Sequence, residues 1–171
     1  MAQAVARKAP SVHWWCPALP PSPKAAIALI EEGCANWPSQ SSAIVGSSLG
    51  GFYATWLAQR LGWKTVVINP AVYPARDLAN YIGSHSNWHD PQEQLFFAPS
   101  YVDQLQALQS PSIAHPERIM AWITQGDEVL DWREMAHHYA QTQLHILEGG
   151  DHAFSDFAAH LDEIWAFLEL P

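Results

Sequence analysis

Apolar and polar positions change their period several times along the chain, and each change marks an element. Val12-His13-Trp14-Trp15-Cys16 is rich in aromatic and β-branched side chains and is closed by Pro17, the pattern of a strand. A stiff Pro20-Pro21-Ser22-Pro23 link follows. Residues 24–34 then have helical composition, with Ser22 as N-cap, Pro23 in the first turn and Gly33 at the fraying end. Ala43-Ile44-Val45 reads as a short apolar strand, and residues 52–61 as a helix stopped by Gly62. Val66-Val67-Ile68 is the next strand, ended by Asn69-Pro70, and its unbroken apolar run predicts burial on both faces.

Between residues 71 and 116 the periodicity fades, and Tyr73, Tyr81, Trp88, Phe96, Phe97 and Tyr101 stand among polar residues and prolines. This stretch reads as an inserted cap or loop-and-helix region within one domain spanning residues 1–171. Regular pattern returns with a strand at 119–124, a helix at 132–140 and a strand at 144–147. A last helix at 157–168 places Phe157, Leu161, Ile164 and Leu168 on one face. Strands alternating with helices predict an α/β fold with a mostly parallel sheet.

Composition narrows the function. A chain of 171 residues fits one core, and 49% apolar with 15% charged residues is a globular balance. Eight Lys and Arg against 17 Asp and Glu leave a net charge of −9, which repels phosphate backbones and anionic membrane surfaces. No nucleic-acid or membrane partner is therefore expected. The sequence has no apolar run near the roughly 20 residues that cross a bilayer, and residues 1–11 lack the apolar core of a signal peptide, so the cytoplasm is the expected compartment. Cys16 and Cys34 have no metal-type spacing and are read as buried free thiols. Nor do His85, His89 and the helical pair His137-His138 form a ligand frame, so no metal or other cofactor is expected.

One pentapeptide carries chemistry. Gly46-Ser47-Ser48-Leu49-Gly50 matches G-x-S-x-G, a weak signal alone, but it lies directly between an apolar strand and a helix with small residues at Gly50, Gly51 and Ala54. A serine on so sharp a turn needs small neighbours, and Gly46 and Gly50 are read as supplying that room. Ser48 would project from the carboxyl end of the sheet, with the Leu49 amide aimed at a developing oxyanion. The plain alternative is a glycine-rich turn without chemistry.

A serine hydroxyl needs a base and an orienting acid, which on this fold follow in the order Ser, Asp, His. Asp127 opens the loop after the strand at 119–124 and is the candidate acid, while Asp131 is better placed as a helix N-cap and Glu128 as a solvated charge. His152, after the flexible pair Gly149-Gly150, is the candidate base.

These stretches, GSSLGGFYATWLAQ, INPAVYP, QGDEVLDWRE and EGGDHAFSDF, resemble in order the YqiA-like esterases, a small group within the α/β-hydrolase superfamily. The CPALPPSP link resembles that family's strand-to-helix connection as well. The resemblance implies a three-layer α/β-hydrolase fold that hydrolyses acyl esters or thioesters, with Ser48 as nucleophile, Asp127 as acid and His152 as base. Family members begin with a strand ending in a His-Gly-Phe loop that supplies the second oxyanion amide. This chain has no such segment, and residues 1–10 look like the tail of the following helix, so the family's first strand is expected to be missing. Tyr73, Phe96 and Phe97 are the candidate substrate-binding side chains. The leading reading is a serine esterase or thioesterase acting on a small-molecule acyl substrate. Its rival is a binding or scaffold protein on the same fold.

Overall fold

A computed structural model describes residues 1–86 and 94–169; Trp88 and His89 lie outside them. The chain divides into two compact units. The first takes in Met1–Pro17, Pro38–Val72 and the chain from Pro111 on, and the second Ala18–Trp37 with the described residues of Tyr73–Ser110.

In the first unit four parallel strands, β1 (Ala43–Ser47), β2 (Lys64–Ile68), β5 (Ile119–Thr124) and β6 (Gln143–Leu147), lie in the order β1-β2-β5-β6. Their register pairs Ser47 with Ile68, Ile68 with Trp122 and Thr124 with Leu147, so the strands end at one common edge. Helices cover both faces, and the two-residue period of the central strands decides which side chain meets which. Val67, Ile119, Ala121 and Ile123 pack against Ala54 and Ala58 of α3 (Leu49–Leu61) and Met135 of α6 (Trp132–His138). Val66, Ile68, Met120 and Trp122 point the other way, onto Ile164 and Leu168 of α7 (Phe157–Leu168). Each valine, leucine, isoleucine or methionine among them contributes about 1.5–3 kcal/mol on burial. Thr55 and Tyr139, both buried, share a 2.7 Å hydroxyl hydrogen bond that ties α3 to the end of α6. The residues read as a helical tail form α1 (Ala2–Lys8), joined to α7 by the Lys8–Asp162 ion pair.

Two expectations fail here. Residues 12–16 have strand composition but join no sheet. A strand is defined by a neighbour's ladder rather than by propensity, and the β1 edge pairs with nothing among the described residues. For the same reason Cys16 is exposed, not buried, whereas Cys34 is buried, which pushes its thiol pKa up. Elsewhere the differences are of extent: α3 starts at Leu49, immediately after the turn, and its helix is closed at Gly62 in the left-handed region (φ 67°).

The second unit holds α2 (Pro23–Cys34), α4 (Pro74–Leu78), an antiparallel hairpin of β3 (Gly83–Ser86) with β4 (Gln94–Phe97), and α5 (Pro99–Ala107). Ser22 caps α2, its hydroxyl accepting from the Ala25 N–H at 3.3 Å. Gln104 Oε1 accepts from Ser22 Oγ (2.9 Å) and from the Lys24 N–H (3.0 Å), fastening α5 to the start of α2. The segment read as an insertion thus shares a compact unit with residues 18–37.

Candidate active site

Ser48 sits where β1 turns into α3, with φ 54° and ψ −126°. A non-glycine residue there costs of order 1–3 kcal/mol and persists only when its surroundings dictate it. Here they do. The Ser48 N–H donates to Ile68 O at 3.0 Å, and its carbonyl accepts from the Gly51 and Ala71 N–H groups at 2.9 and 3.0 Å.

Close packing enforces the same turn. A Cβ on Gly46 would overlap the Gly50 backbone and come within 2.8 Å of the Ala54 Cβ, and one on Gly51 would lie 2.7 Å from the Pro70 Cβ. Gly50, read from the sequence as supplying room, faces open space. One residue along a helix is a rotation of about 100°, enough to exchange the crowded side for the open one. Gly46→Ala should therefore lower stability by about 1–3 kcal/mol, the cost of overpacking. Gly50→Ala should leave it unchanged or raise it by up to about 1 kcal/mol, because glycine is a poor helix former. Thermal melts of the two variants check this; equal losses would contradict it.

The loops after β5 and β6 run side by side from adjacent strand ends. The Gln125 N–H donates to Leu147 O at 2.9 Å, and the Gly126 N–H to Gly149 O at 2.8 Å. From the first loop comes Asp127, whose side chain is fully buried. Its Oδ1 accepts from the Val129 and Leu130 N–H groups at 2.8 Å each, and its Oδ2 lies 2.7 Å from His152 Nδ1. His152 comes from the second loop, after Gly149 and Gly150 at φ 67° and 76°, and its Nε2 lies 2.9 Å from Ser48 Oγ. A carboxylate only accepts, so Nδ1 carries the imidazole proton and Nε2 is left to accept from the serine hydroxyl. Leu49 is the first residue of α3, and its N–H has no acceptor within the helix.

Of the rival acids, Asp131 caps α6, accepting from the Arg133 N–H at 2.9 Å. Glu128 is not merely a solvated charge: its Oε2 accepts from the His152 backbone N–H at 3.0 Å, because the adjacent loop passes within its reach. Asp151 bonds the Ser155 hydroxyl (2.6 Å) and N–H (3.0 Å), which hold its carboxyl below the usual range. Sequence reasoning missed Asn69, a buried amide beside the histidine loop, which reads only as the polar end of a strand. Tyr73, Phe96 and Phe97 belong to the second unit; the first two are exposed, and Phe97 meets Tyr101 edge-on at 5.4 Å. Among the described residues no three His, Cys, Asp or Glu side chains cluster as metal ligands would, and no helix is long and apolar enough to cross a membrane.

A parallel sheet between two helical layers, with its serine on the strand-to-helix turn and the acid and imidazole on later strand ends, defines the α/β-hydrolase fold. Solved structures agree. A protein from Agrobacterium vitis S4 superposes with a TM-score of 0.65 at 18% identity, over 86% of this chain and 69% of its own. Est1E from Butyrivibrio proteoclasticus, solved with ferulic acid bound, gives 0.59 at 15% identity over 86% and 67%. Within that fold the chain belongs to the "Uncharacterised protein family (UPF0227)", whose profile it matches over residues 1–169. A UPF0227 protein of Shewanella loihica is 32% identical over 126 residues, 73% of this chain and 63% of that relative, so the chain spans under two thirds of its length. One from Yersinia pseudotuberculosis is 27% identical over 134 residues, covering 77% and 67%.

Proposed function

We propose that this protein is a serine hydrolase that cleaves acyl esters or acyl thioesters. The observation that carries the reading is one unbroken chain of hydrogen bonds, Ser48 Oγ to His152 Nε2 at 2.9 Å and His152 Nδ1 to Asp127 Oδ2 at 2.7 Å. It begins on a serine held at positive φ. In this reading Ser48 Oγ attacks the substrate carbonyl carbon while its proton passes to His152 Nε2. Asp127 fixes the tautomer and stabilises the imidazolium. The Leu49 N–H, at the positive end of α3, donates to the oxyanion. The imidazolium then protonates the departing alkoxide or thiolate, leaving an acyl-serine. Water, deprotonated by the same nitrogen, releases the acid and restores the enzyme. Esterase names among proteins of like fold support the reading, as does the chain's resemblance to the YqiA-like esterases.

A panel of short-chain p-nitrophenyl esters and acyl thioesters tests it. Turnover of at least one member, at a rate proportional to enzyme, is the expected result; no turnover of any would contradict the proposal. Acyl preference is assigned to Tyr73, Phe96 and Phe97, aromatic side chains that offer apolar surface to an acyl chain. Trimming Phe96 or Phe97 to alanine should change the acyl-length profile across the panel. A fall in melting temperature with an unchanged profile would make them a local core instead.

A further inference from the structure

Asn69 follows β2 directly, is fully buried, and has φ 40°, a left-handed backbone that asparagine tolerates better than other side chains. Its N–H donates to Trp122 O at 2.9 Å, which places the residue one step beyond the sheet. The amide orientation is fixed by its partners, since carbonyls only accept and N–H groups only donate. Oδ1 accepts from the Thr124 N–H at 2.9 Å. Nδ2 faces Thr124 Oγ1 at 3.1 Å, the Asp151 carbonyl at 3.0 Å and the His152 carbonyl at 3.2 Å. The Thr124 hydroxyl, 3.0 Å from the same Asp151 carbonyl, can donate to it as a second tie.

The two peptide groups flanking His152 are therefore both held. Asn69 holds the carbonyl of each, and Glu128 holds the N–H that His152 contributes. Fixing both peptide planes fixes the Cα–Cβ direction, so only two side-chain torsions remain for Asp127 and Ser48 to set. Phe154, buried two residues on with φ 56°, anchors the far end of the loop against Trp122. We propose that Asn69, with the Thr124 hydroxyl, is the positioning residue of His152, setting the imidazole at the distance from Ser48 that proton transfer requires. This rests on the hydrolase reading above, but one of its measurements does not need turnover.

Asn69→Asp is the closest isostere that removes the donor, turning an oxygen onto two carbonyls. It should lower kcat by about 10²-fold, the cost of a misplacement near 1 Å, with KM nearly unchanged. Fluorophosphonate labelling of Ser48 should slow in step. The downfield proton resonance of His152 Nδ1 should shift or broaden at a pH where it is sharp in the parent. Should Asn69→Asp not fold, Thr124→Val and Thr124→Ser decide. The valine variant should lose about 2- to 10-fold in kcat, the worth of one hydrogen bond, and the serine variant should recover it.

Folded variants with unchanged kcat and an unchanged imidazole resonance would overturn the assignment. So would a serine variant as slow as the valine one, because that would trace the loss to packing rather than to the hydroxyl. If the parent chain neither turned over esters nor reacted with fluorophosphonate, the hydrolase reading would fail. The resonance comparison would still decide whether Asn69 positions the imidazole.

Discussion

Ser48→Ala should cut ester hydrolysis by about 10⁴-fold or more while the melting temperature stays within a few degrees of the parent. The hydroxyl donates to His152 Nε2 and forms no part of either apolar core, so its removal leaves the packing of α3 and β1 in place. The turn itself is dictated by backbone hydrogen bonds and by Gly46 and Gly51, none of which involves Oγ. Residual activity would come from binding and from the Leu49 amide. Rates and thermal melts on the same preparations check both halves. Full activity in Ser48→Ala, with the loss found in Ser47→Ala, would move the nucleophile by one residue and contradict the account.

Asp127→Asn should lose about 10⁴-fold in kcat, whereas Asp131→Asn should stay within a factor of two of the parent. The reason is the direction of one hydrogen bond. An asparagine at 127 can still accept from the Val129 and Leu130 N–H groups through its oxygen, which leaves its NH₂ facing His152 Nδ1. That nitrogen would then accept, and the proton would sit on Nε2, where the ring can no longer take the serine proton. At position 131 the same change keeps a good N-cap for α6, worth at most a few tenths of a kcal/mol. Steady-state kinetics on the two variants decide; equal losses would show that the carboxylate at 127 does not set the tautomer.

Ser48, Asp127 and His152 are legible as candidates because each lies within a few residues after an apolar run, and a parallel sheet brings successive strand ends to one edge. Local pattern also predicted the Ser22 and Asp131 caps and the Gly62 stop, since capping depends on residues within one turn. What was not legible depended on partners distant in sequence. Asn69 meets Thr124 across 55 residues and the histidine loop across more than 80, so its role is invisible in the dipeptide Asn69-Pro70. Glu128 reaches His152 in the same way. Residues 12–16 show the converse: their β propensity is strong, but no local pattern encodes whether a neighbouring strand will be there to pair. Gly50 and Gly51 differ only in which side of a helix they occupy, and composition cannot separate them.

The central claim is that Ser48 is an activated nucleophile, and covalent labelling tests it most directly. A fluorophosphonate reacts with a serine whose proton an adjacent base can remove, and leaves ordinary hydroxyls untouched. The parent chain, treated with a biotinylated fluorophosphonate, digested and sequenced by mass spectrometry, should carry one adduct, on Ser48, and lose it in both Ser48→Ala and His152→Ala. Absence of any adduct, an adduct on Ser47, or undiminished labelling of Ser48 in His152→Ala would contradict it.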